Sequence, residues 1–265
     1  MNQEIIDEIK NQDYVSIAKT IEKFLLDKIA ENNSDGVVLG LSGGIDSAVL
    51  AYLCKRAVKE KTLAIIMPDT EITPKTETED ALKMIALTGI KYKLIDINPI
   101  VKEYTKYLEP NEWAKGNLRA RVRANILYYY ANAKNYLVLG SSDKSEYLIG
   151  YFTKHGDGAA DLIPIISLYK IQVREIAKFL DVPKNVIEKK SSPHLWKEHD
   201  AEKEIGATYE EIDSILYCIF DKKLSVKETS VLTNIEIPVV EKIYQFHINS
   251  KHKREQQQKP FESQK

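Results

Sequence analysis

The residues best suited to chemistry begin at Ser42, within the run VVLGLSGGIDSAVL (37–50). Gly43 and Gly44 carry no Cβ, so backbone N–H groups can converge there. A helical pattern starts near Asp46 and aims its unpaired N–H groups at the same spot. Ser42 and Ser47 add two hydroxyl donors. Such a set suits the oxygens of a pyrophosphate. It lacks the lysine of the G-x-x-x-x-G-K-[ST] loop. Asp46 would repel a phosphate unless Mg²⁺ stood between them.

A second set of charges lies downstream. Glu146 follows a predicted strand closely enough to share a Mg²⁺ with Asp46. Lys154, Asp157 and Asp161 stand in YFTKHGDGAADLIPI (151–165), whose glycines and aspartates exclude a regular element and mark a functional loop. Arg119, Arg121 and Arg123 flank a helical stripe of Leu118, Val122, Ile126 and Tyr129. Arg121 borders one edge of that stripe, and the other two lie beyond the opposite edge. The histidines (His155, His194, His199, His247 and His252) show no metal-binding spacing, and all but His252 read as surface or packing residues. Cys54 and Cys218 form no C-x-x-C pair, which speaks against a zinc site or a disulfide framework and fits a reducing cytoplasm.

The elements that must position these residues follow from periodicity. Tyr14, Ile17, Ala18, Ile21, Leu25 and Ile29 share one helical face. Apolar runs at 36–41, 62–68, 91–97 and 135–140 predict strands. Helices are predicted over 46–58, over 77–90 with Gly89 as its cap, and over 98–133 with a break at Glu109–Pro110. Further helices are expected around Val173–Leu180, 208–219, 225–232 and 237–250. The polar, Ser/Pro-punctuated segment 188–204 is a candidate lid. Strands alternating with helices imply a mainly parallel sheet with right-handed crossovers. Ligands of such sheets sit beyond the carboxyl ends of the strands, near the switch point. Ser42–Gly44, Pro68–Asp69 and Ser141–Ser142 all fall there. The expected fold is therefore α/β: a Rossmann-like, parallel five-stranded sheet flanked by helices, with a C-terminal helical elaboration. It is read as one domain, with an α/β core over 14–180, a lid segment and helices over 181–254, and a polar tail over 255–265.

Composition narrows the class. The 265 residues are 43% apolar and 29% charged, enough for a sizeable core. A formal net charge of −1 gives no basic field for nucleic acid. No apolar run approaches the roughly 20 residues of a membrane span. The acidic N-terminus has no signal-peptide pattern. The expectation is a cytoplasmic protein with neither nucleic-acid nor membrane partners.

LSGGIDSAV (41–49) resembles the pyrophosphate loop of the N-type ATP pyrophosphatases, which cleave ATP between the α and β phosphates. The loop alone does not name the substrate. KGNLRARVR (115–123), YFTKHGDGAADLIPI (151–165), EIGATYEEID (204–213) and KHKR (251–254) are similar, in order, to four segments of the ammonia-dependent NAD synthetases. KKSSPHLW (189–196) is a weaker match to that family's K-x-P-[ST]-A-x-L.

The resemblance implies roles. Gly40, Leu41, Ser42, Gly43, Gly44, Ile45, Asp46 and Ser47 would hold ATP, with Ser141, Lys170 and Ser192. Ser141 stands where the family often has threonine, and Pro193 replaces a small residue beside Ser192. Asp46 and Glu146 would bind Mg²⁺. Arg121, Lys154, Asp161, His252 and Lys253 would hold deamido-NAD. Asp157 would stand near ammonia and accept a proton, joining Asp46 and Lys170 as catalytic residues. Lys170 would supply the cation the loop lacks. The implied reaction adenylates the nicotinate carboxylate, releases pyrophosphate, and lets ammonia displace AMP. The ~35 residues before the loop are too few for a glutaminase domain, so ammonia would arrive free or from a separate protein. A homodimer is also implied.

Overall fold

A computed structural model describes residues 2–192, 195–196 and 199–255, so Pro193, His194 and nearly all of the predicted tail lie outside the described residues. The chain opens with α1 (Gln3–Lys10) and α2 (Tyr14–Glu31). The α/β core follows: β1 (Gly36–Gly40), α3 (Ile45–Ala57), β2 (Thr62–Ile66), α4 (Lys75–Thr88), β3 (Lys91–Leu94), α5 (Asn98–Thr105), α6 (Glu112–Lys134) and β4 (Tyr136–Leu139). Then come α7 (Lys144–Ile149), α8 (Lys170–Phe179), α9 (Lys184–Ile187), α10 (Ala201–Ile205), α11 (Tyr209–Leu216), α12 (Val226–Thr233), α13 (Ile237–Asn249) and α14 (Lys251–Arg254).

All strand pairs are parallel, in the order β3-β2-β1-β4. Each pleat sends alternate residues to opposite faces. Val37, Leu39, Ala64 and Ile66 enter a core with α2, α3 and α8. Val38, Leu63 and Ile65 enter another with Ile97, Val101 and Val122 of the α5–α6 side. Fully buried leucines such as Leu39 and Leu53 each contribute about 1.5–3 kcal/mol by leaving water. The chain runs outward from β1 to β2 and β3, then returns to the other side of β1 for β4. The switch point therefore lies between β1 and β4, where their carboxyl ends deliver Ser42 and Ser141.

The sheet has four strands rather than the expected five. The chain does come back beside β4: Leu162 forms a single parallel bridge with Leu139. The Gly140 N–H donates to the Leu162 carbonyl at 2.8 Å. The pairing stops there because the Asp161 carboxylate takes the Val138 N–H at 2.7 Å, and Pro164 has no N–H to continue a ladder.

A third core is helical and draws on both ends of the chain. Ile5, Ile6 and Ile9 of α1 pack with Ile149, Tyr169 and Ile171 and with Tyr209, Ile212, Val240 and Ile243. The Asn2 N–H donates to the Thr233 carbonyl at 2.8 Å, and Glu8 pairs with Lys222 at 2.8 Å. No helix among the described residues is long and apolar enough to cross a membrane.

Candidate active site

The loop between β1 and α3 is shaped by its own side chains. The Ser47 hydroxyl, almost wholly buried, donates to the Gly44 carbonyl at 3.0 Å and accepts the Ser42 N–H at 3.2 Å. Ser47 therefore builds the loop, while the exposed Ser42 remains on its open side. Gly43 sits at φ +93°, and a Cβ there would lie 2.3 Å from the Glu77 carbonyl oxygen. Gly43→Ala is expected to cost at least about 1–2 kcal/mol from the left-handed backbone alone. It should also displace the loop, and a urea melt with a KM measurement for ATP checks both effects.

Lys170 opens α8 and is fully buried. Its Nζ lies 2.8 Å from Asp46, 2.7 Å from Asp143 and 2.9 Å from Glu146. Burial alone would pull this lysine's pKa down, but the three carboxylates outweigh it and hold the ammonium charged. Burial, opposed by Lys170 and reinforced by Asp143 and Asp46, pushes the Glu146 carboxyl up to about 8. Asp143 had gone unnoticed in the sequence. It is the N-cap of α7, and its other oxygen accepts the Glu146 N–H at 2.8 Å. Tyr209 donates to Glu146 at 3.3 Å and lays its ring 5.0 Å from the Lys170 ammonium. The Asp213 carboxylate accepts the Ile171 N–H at 2.7 Å and the Ser145 hydroxyl, fixing α8 against α7.

Above the loop opens a cavity of about 370 Å³. Gly40, Leu41, Ser42, Gly44, Ile45, Asp46, Ser141, Glu146, Asp157, Ser192 and Lys253 line it. Ile65, Met67, Ala124 and Leu127 add an apolar slot that suits a flat ring. Lys170 lies behind the wall, where Asp46, Asp143 and Glu146 surround its ammonium.

Two clusters join residues whose pairing the sequence did not disclose. Arg119 and Asp69 are both buried and pair at 2.7 Å, and Asn98 donates to the same carboxylate at 2.7 Å. Burial would raise the Asp69 carboxyl, but the hydrogen bonds from Arg119 and Asn98 hold it below the usual range. Arg119 also donates to the Leu195 carbonyl at 2.9 Å, so it ties the 188–204 segment to α6. Arg119→Lys keeps the charge but loses the fork, and is expected to cost about 1.5–3 kcal/mol in thermal melts. The second cluster is His199, stacked on Trp196 at 3.6 Å and bonded to Tyr151 and Glu204 at 3.1 and 2.7 Å. It packs, as expected, and it also lines the cavity.

A sequence model of the NAD synthase family matches residues 17–257. The NH3-dependent NAD+ synthetase of Hyperthermus butylicus is 47% identical over 252 residues, covering 94% of this chain and 91% of that one. The chain belongs to the NAD synthase family. Among solved structures, the NMN synthetase of Francisella tularensis superposes with a TM-score of 0.84 at 35% identity, covering 94% of this chain and 99% of that one. The NH3-dependent NAD synthetase of Campylobacter jejuni, in complex with nitrate, gives 0.79 at 34%, covering 93% and 99%.

Several of the other expected residues meet through α6, the Gly-rich loop and α14. Lys154 donates to the His252 carbonyl at 2.9 Å. Lys253 donates to the Gly150 and Phe152 carbonyls at 2.7 and 2.8 Å. The exposed Arg121 reaches the Lys154 carbonyl at 3.3 Å, whereas Arg123 turns inward to the Met67 carbonyl at 3.0 Å. Thus α6, the Gly-rich loop and α14 meet. Asp157 accepts the Thr153 N–H at 2.9 Å. Asp161 accepts the Tyr128 hydroxyl at 3.1 Å besides capping β4.

The donor set fits Mg²⁺. Three carboxyl groups share one ammonium, so acceptor oxygens of Asp46 and Glu146 remain for a cation. Among the described residues no group of three or more His, Cys, Asp or Glu forms a metal cage. Mg²⁺ in nucleotide enzymes takes one or two carboxylates and completes its shell with phosphates and water. Asp46 and Glu146, both lining the cavity, fill that requirement.

Proposed function

We propose that the protein amidates deamido-NAD with ammonia at the expense of ATP, forming NAD, AMP and pyrophosphate through an acyl-adenylate. This is the last step of NAD biosynthesis. The single observation that carries the reading is the meeting of Asp46 and Glu146 with the Ser42–Ser47 loop at the switch point of the sheet. Apolar walls, the loop and a carboxylate pair line one cavity.

The chain's residues have distinct tasks in this reading. The first turn of α3 offers N–H groups to the departing pyrophosphate. Asp46 and Glu146 would hold Mg²⁺, which when bound neutralises phosphate charge and orients the α-phosphate. Lys170 holds both carboxyl groups in place. Ser141 and Ser192 offer hydroxyls to ATP. Arg121, Lys154, Asp161, His252 and Lys253 bind deamido-NAD on the outer side. Asp157 takes the proton that ammonium must lose before it can attack. Holding three reactants in register supplies much of the acceleration.

A homodimer completes the site in this reading. Trp113 and Tyr129 of α6 are each 68% exposed, and Tyr107 beside them is 79% exposed. Such aromatics are enriched at interfaces, and Arg121 shares their helix. Sedimentation of the protein should return twice the monomer mass. The reading places the enzyme in the cytoplasm.

The test is direct. The protein is incubated with ATP, Mg²⁺, deamido-NAD and either ammonium or glutamine. NAD and AMP should appear with ammonium. ADP as product, or no NAD, sinks the reading. A parallel incubation with nicotinate mononucleotide addresses the similarity to the NMN synthetase, and faster turnover of that acid would transfer the assignment to it.

A further inference from the structure

The loop still needs a cation that can reach it. Lys170 is fully enclosed by three carboxylates. Among the described basic residues lining the cavity, Arg123 is held by the Met67 carbonyl and Lys253 by the Gly150 and Phe152 carbonyls. Lys190 points into solvent with 79% of its side chain exposed. Lys189 differs. Its Nζ lies 3.3 Å from the carbonyl oxygen of Gly43, the centre of the loop. It also pairs with Glu77 at 3.0 Å and Asp80 at 2.5 Å, and 23% of its side chain is exposed.

We propose that Lys189 is a catalytic residue that exchanges Glu77 and Asp80 for the β- and γ-phosphates of ATP and stays with them as pyrophosphate departs. This rests on the ATP reading above. An ammonium on a flexible four-carbon stem is suited to such a switch, because it bonds as a point charge and needs no fixed plane. The two carboxylates hold it over Gly43 beforehand, so it moves a short distance when a more highly charged partner arrives. Glu77 also stands against the loop backbone, since its carbonyl marks the limit for a Cβ at Gly43. Loop, α4 and Lys189 are therefore one assembly. Lys189 comes from outside the loop, as the missing P-loop lysine would not.

The experiment measures binding of pyrophosphate, ATP and AMP to the wild type, Lys189→Met, Lys189→Arg and Asp80→Asn by calorimetry with Mg²⁺ present. In Lys189→Met, affinity for pyrophosphate and ATP should fall about 10- to 100-fold while AMP affinity stays within about twofold, as for loss of one bond to a charged group. Lys189→Arg should recover most of the affinity. Asp80→Asn removes a competitor and should tighten pyrophosphate binding. Equal pyrophosphate binding by wild type and Lys189→Met overturns the proposal. So does a parallel loss of AMP affinity, which would mark a general collapse of the site. If the wild type itself binds neither pyrophosphate nor ATP, the ATP reading fails and this one with it.

Discussion

Lys170→Met is expected to unfold more easily at pH 8 than at pH 5.5 and to lose at least about 10²-fold in kcat. Methionine fills the same channel but leaves Asp46, Asp143 and Glu146 facing one another without their cation. Breaking a buried pair by removing one partner costs about 3–5 kcal/mol, because the remaining charge is uncompensated. For a domain of this size that is a fall of roughly 6–20 °C in melting temperature. The pH sign follows from the carboxyl groups. Glu146 already titrates near 8, above its ordinary 4.5, chiefly through burial. A carboxyl raised on folding binds a proton more tightly in the native state. Its contribution is complete below the unfolded pKa and is lost as pH rises through the folded one. Without Lys170 the loss across pH 4.5–8 deepens. Melting curves at pH 5.5 and pH 8 decide it: a variant equally stable at both, or as stable as the wild type at pH 8, would refute the charge accounting.

Asp46→Asn is expected to show the opposite combination. Activity at limiting Mg²⁺ should fall about 10²- to 10³-fold, the size of losing one strong contact to developing charge. Stability should hold or rise, since one of three carboxylates around a single ammonium has been removed. Raising Mg²⁺ should restore part of the activity. Glu146→Gln should behave alike. A functional site commonly carries such local conflict at the expense of stability. Full activity at limiting Mg²⁺, or a large fall in melting temperature, would assign Asp46 to structure instead.

Much of this was legible in sequence because it is local. The loop, the four strands and the Gly89 cap announce themselves within a few residues, and Gly89 is indeed left-handed at φ 66°. α1 was passed over: eight residues are too short for periodicity to decide, and its stability comes from packing on distant helices. The fifth strand failed through a single proline and one aspartate side chain, details that follow from register. Arg119 and Arg123 turn inward while Arg121 stays outside, and the wheel could not say so. The choice depends on Asp69, fifty positions earlier. Asp143 caps α7 with one oxygen and meets Lys170 with the other, and the second contact depends on a residue 27 positions later. Lys189 had no local signal, since its partners sit on α4 and in the loop.

The helical core built from both ends of the chain has a consequence for how the protein comes into being. All four strands and the phosphate loop have been made once β4 has left the ribosome, but α8, which covers one face of the sheet, comes later. Tyr209, Asp213 and the seat of α1 emerge later, so Lys170, Asp143 and Glu146 lack their backing until then. Lys189 and Ser192, which line the same cavity, also follow β4 in the chain. The charges of the site therefore come together only when both ends of the helical core have been made.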